Sequence, residues 1–97
     1  MRRDDYVFCI GFEGSAAIVD GRLRRARAGW TAVRLAEAGL FKAAVAAALY
    51  DGSSSDLEAV LALYNAHGNA VVGTVEELKR IFGTAGVPEG VKKLIVV

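Results

Sequence analysis

The chain has 97 residues, 54% of them hydrophobic, with 12 Lys and Arg against 11 Asp and Glu for a formal net charge of +1. That length fits one globular domain over 1–97 and excludes two ordinary ones. The charge balance excludes the global electrostatic footprint of a nucleic-acid-binding domain, and the single cysteine, Cys9, excludes an internal disulfide.

A domain of this size buries roughly 60–70% of its unfolded surface, so it stabilises a core without staples. The apolar share exceeds the usual value of about 45–50%. Much of the excess is alanine, and the remainder leaves apolar surface for a partner or a second copy to cover. Arg2 and Arg3 are followed by Asp4 and Asp5 rather than by an apolar leader core. The longest apolar stretch, Leu40 to Tyr50, is interrupted by Lys42 and is too short to span a bilayer. The expectation is a cytoplasmic protein with no membrane segment.

In chain order, Tyr6-Val7-Phe8-Cys9-Ile10-Gly11-Phe12 is short and rich in aromatic and β-branched residues, which reads as a strand. Both of its faces are apolar, so a central position is expected. Glu13-Gly14-Ser15 reads as a turn into a second strand, Ala16-Ala17-Ile18-Val19. Asp20-Gly21 has the chemistry of a two-residue type I′ hairpin, whose central positions need positive φ. Arg22-Leu23-Arg24-Arg25 is then the returning strand. Its charge places it at a sheet edge, where arginines discourage aggregation.

Thr31 is the expected N-cap of a short helix through Val33, Leu35, Ala36 and Ala38, ended by a left-handed Gly39. In the Leu40–Tyr50 helix, Leu40, Phe41, Ala44, Val45, Ala48 and Leu49 have the spacing of a buried face, and the opposite side is alanine. That helix is expected to be covered on most sides. Ser55 with Glu58 and Thr74 with Glu77 spell capping boxes for two further helices, stopped by Gly68 and Gly83. Pro88 and Gly90 mark a loop. Val91 to Val97 is the last strand, expected to pair inside the sheet beside Tyr6–Phe12. The predicted fold class is α+β: a small, largely antiparallel sheet made of an N-terminal three-stranded meander plus the C-terminal strand. About four short helices pack on one face of it.

The motifs of catalysis are missing. Gly11-Phe12-Glu13-Gly14-Ser15 has glycines but no Lys-Ser/Thr pair to complete a phosphate-binding loop. His67 is the only histidine and has no second histidine or cysteine near it in sequence, so no zinc site is read. Neither His67 nor a carboxylate is spaced to activate a serine or Cys9. Asp4, Asp5, Glu13 and Asp20 read as solvated carboxylates near turns. No catalytic residue, metal or cofactor is expected. The leading expectation is a non-enzymatic protein-interaction or homodimerisation module.

Arginine placement gives the one localised signal. Arg22, Arg24, Arg25 and Arg27 crowd six residues, with Trp30 close behind. Such a group can contact phosphates while the indole stacks on a base, or it can meet an acidic protein. A solvated edge strand paired with Glu13, Asp20 or Glu37 is the simpler account, since a charge run is usually a solvated face. Arg22, Arg24, Arg25, Arg27 and Trp30 are nonetheless the candidate partner-binding residues, and nucleic acid is the alternative partner.

Overall fold

The N-terminal segment is helical before it is extended. In the computed structural model, which describes residues 1–67, 71–83 and 88–97, helix α1 spans Arg3–Val7 and strand β1 only Cys9–Glu13. Asp4 and Asp5 occupy the first turn of α1, where carboxylates are favoured by the helix dipole. Asp5 Oδ2 accepts the Arg2 N–H at 3.1 Å. Tyr6, Val7 and Phe8 have strand-forming side chains, yet all three are buried. Packing against the long central helix overrides that preference, as burial commonly does for β-prone residues.

Strand β1 pairs antiparallel with β2, Ala16–Val19, through a two-residue turn at Gly14 and Ser15. Gly14 has φ of 59°, which fits glycine at the first central position of a type II′ turn. The register shifts between Cys9 and Gly11, leaving Ile10 as a bulge.

The expected second hairpin is absent. Asp20 is an N-cap whose carboxylate accepts the Leu23 N–H at 3.0 Å, and Gly21–Ala26 is helix α2. Gly21 is not among the positive-φ glycines. Asp-Gly serves equally as a turn or as N-cap followed by N1, and Arg22 to Ala26 are good helix formers. The meander is therefore a single hairpin, and the arginines lie on a helix. Asp20→Ala should cost about 1 kcal/mol, lowering Tm by about 4–8 °C in a calorimetric scan. An unchanged Tm would contradict the cap.

The chain then runs through α3 (Ala32–Glu37), α4 (Phe41–Asp51), α5 (Ser54–Ala66) and α6 (Val75–Ile81) before β3, Lys93–Val96. The order β1-β2-β3 is mixed: β3 pairs parallel to β2, with Ala16 opposite Lys93 and Val19 opposite Val96. This corrects the expected place beside β1 and the expected interior position. β1 carries the bulge and Gly11, which weaken it as a pairing template, whereas β2 offers a regular edge. The result is a small α+β domain with six helices and a three-stranded mixed sheet among the described residues.

The helical layer obeys its caps closely. Thr31 Oγ1 accepts the Arg34 N–H and Thr74 Oγ1 the Glu77 N–H, each at 3.2 Å. Gly39, Gly52 and Gly83 all have positive φ at helix ends. Ser53, not Ser55, caps α5, through a 3.2 Å bond from the Asp56 N–H. Gly68, the expected stop of α5, lies outside the described residues. α4 is the hub: Ala44 to Ala48 are all buried, and these small side chains let α3 and α5 approach closely. Leu35, Val45, Val60 and Leu78 are fully buried around it. Phe41, Tyr64 and Phe82 close one end in edge-to-face pairs, with centroids 5.2 and 5.6 Å apart. Among the described residues no helix is long and apolar enough to cross a membrane.

Candidate functional site

The arginine-rich segment forms α2, and its side chains separate into distinct environments. Arg24 reaches back to α1, where its Nη1 lies 2.5 Å from Asp5 Oδ1. Asp5 is the one buried charged residue among those described. Both of its oxygens are engaged, one by Arg24 and one by the Arg2 amide, which satisfies a carboxylate that would be costly if left alone. The pairing carboxylate is thus Asp5, not Glu13, Asp20 or Glu37. Arg27 and Arg34 stack on Trp30, with Cζ 4.7 and 3.9 Å from the ring centroid. Trp30 is half-buried and packs against the core, so its ring is already occupied by two guanidinium groups. Arg22 and Arg25 remain exposed.

Neighbouring charges are also engaged. Asp4 accepts the Gly29 N–H at 3.2 Å. Arg3 makes a bidentate pair with Asp51 at 2.9 and 3.1 Å. The hydrogen bond and charge of Asp51 push the Arg3 pKa further up, against the opposing effect of burial.

Two adjoining clefts run past this cluster. One, of about 640 Å³, is lined by Arg2, Arg24 and Arg25; the other, of about 370 Å³, by Arg2, Lys92 and Lys93. They share Arg2, Asp5 and Leu94. The parallel placement of β3 brings Lys92 and Lys93 from the far end of the chain to the N-terminal arginines. Sequence reasoning missed these lysines. The only signal for them was a basic pair at the head of a terminal strand, which says nothing about its neighbours.

Further apolar side chains lie on both faces of the sheet. Ile10, Phe12 and Val97 are 53%, 54% and 67% exposed. With Ile18, Leu94, Ile95 and Val96, they stand apart from the core cluster that Val19 shares with the helices. Of these, Ile18 and Ile95 are direct cross-strand partners. Beside Phe12, an apolar groove of about 450 Å³ runs between Tyr6, Val7 and Ala46 towards Phe82, with Lys42 on its wall.

The residues weighed for catalysis are dispersed. His67 Nδ1 lies 3.2 Å from the Leu63 carbonyl, and its ring sits edge-on to Phe41. Cys9 is half-buried with Sγ 3.2 Å from the Gly11 carbonyl oxygen. Among the described residues no three His, Cys, Asp or Glu side chains converge on a metal position. Neither a family model, nor a curated protein, nor a solved structure matches this chain.

Proposed function

We propose that the protein is a non-enzymatic interaction module that associates with a second copy of itself through its sheet. One observation carries this reading: Ile10, Phe12 and Val97 are more than half exposed, and Ile18, Leu94, Ile95 and Val96 lie outside the core cluster. Large apolar side chains left exposed around so small a sheet suit association better than solvent. β3 is an edge strand, so its outer N–H and C=O groups offer a template for a further strand. A second copy meets that need with a self-complementary patch about a two-fold axis, the commonest form of association.

Sedimentation equilibrium at tens of micromolar should show a dimer. Ile10→Asp combined with Val97→Asp should sediment as a monomer with an unchanged circular dichroism spectrum, because both side chains are already exposed in one copy. A parent protein that stays monomeric at high micromolar concentration would reject this reading.

A further inference from the structure

We infer that the paired clefts between α1, α2 and β3 form a binding surface for the phosphate backbone of duplex nucleic acid. The inference does not require self-association, although Leu94 and β3 border both surfaces. Its basis is a group of cations without local partners. The ion pairs among the described residues are Arg3–Asp4, Arg3–Asp51, Arg24–Asp5 and Lys79–Glu76. None involves Arg2, Arg25, Lys92 or Lys93, which line the two clefts. Asp4 and Asp5 also line the clefts, and they are held by Gly29, Arg24 and the Arg2 amide. A chain of net charge +1 therefore gathers four cations that make no ion pair, from three separate segments, along two adjoining clefts. Like charges on one side of a small domain repel, and none of the four is offset by an ion pair. An extended polyanion removes the repulsion and releases its own counterions.

The clefts themselves offer no aromatic platform, which narrows the class. Single strands are held by bases stacked on exposed rings. Here Trp30 is covered by Arg27 and Arg34, and no aromatic side chain lines either cleft. Phosphate contacts without base contacts suit a duplex bound without regard to sequence. Arg24 and Arg3, being paired, act as positioning residues: Arg24 holds α2 to α1 through Asp5, and Arg3 holds α1 to α4 through Asp51.

The test is fluorescence anisotropy with a labelled mixed-sequence DNA duplex over a salt series. With about four phosphate contacts, the log–log slope should be roughly −3 to −4, equivalent to about 100-fold weaker binding at 200 mM than at 50 mM salt. Replacing Arg2, Arg25, Lys92 and Lys93 by Gln should abolish binding, while Arg2→Lys with Arg25→Lys should retain it. Should the fourfold variant fail to fold, Lys92→Gln with Lys93→Gln should still halve the slope, since both lysines are exposed. No binding by the parent at low salt would overturn the inference. So would equal binding by the Gln variants, tighter binding of a single strand, or equal competition by polyglutamate, which would point to an acidic protein.

Discussion

Val45→Asp should abolish cooperative folding. Val45 is fully buried on α4, within a cluster built from Val7, Leu35, Ala36, Val60 and Leu78 among others. A carboxylate there finds no polar partner in that apolar shell. Burying it uncompensated costs several kcal/mol, either as the charge or through the work of protonating it. Domains of this kind have about 5–15 kcal/mol of total stability, so one such substitution removes most of it. Urea unfolding monitored by circular dichroism is the direct measurement, with Val45→Ala as the graded companion. The smaller change leaves a cavity and should cost about 1–3 kcal/mol. A soluble Val45→Asp protein with the parent's unfolding midpoint would remove α4 from the centre of the core.

Gly21→Val should be the second large effect, and the reason is steric rather than conformational. Gly21 is buried, and its N–H donates to the Val97 carbonyl at 3.0 Å. A Cβ built on it would lie 2.6 Å from Val96 Cγ1 and 3.1 Å from the Val97 carbonyl oxygen. The side chain of Val96 can rotate, but the backbone oxygen moves only if β3 moves. Overpacking of this kind typically costs about 1–3 kcal/mol, and a β-branched residue lies at the upper end. Gly21→Asn separates the two explanations. In a type I′ turn asparagine is well tolerated; against β3 it collides as alanine does. Thermal unfolding should therefore show Gly21→Asn destabilised at least as much as Gly21→Ala. A mild Asn variant beside a costly Ala variant would restore the hairpin.

The same glycine shows why parts of the fold were legible and others were not. Asp20-Gly21 satisfies a hairpin turn and a helix start with the same two residues. Their neighbours make the choice: Arg22 to Ala26 form a helix, and β3 takes the strand position beside β2. Tyr6 and Val7 read as strand because their side chains favour it, yet their burial against α4 is gained in a helix. The candidate site was legible only in part. Arg25 was visible as one of a basic cluster, but the division between paired Arg24, stacked Arg27 and free Arg25 depends on Asp5 and Trp30 in space.

What the sequence determined by itself was local. Thr31 and Thr74 cap their helices because a hydroxyl and an N–H three residues on meet within a single turn. Gly39 and Gly83 end helices because the left-handed conformation there suits a residue without Cβ. The alanines of α4 announce a helix covered on most sides, because small side chains at every turn leave room for neighbours. Only the tertiary structure decided where β3 docks, whether the arginines lie on a strand or a helix, and which cations share a surface. Those outcomes depend on contacts between residues far apart in the chain, whose closure entropy is offset only when the whole core forms. No single segment encodes them.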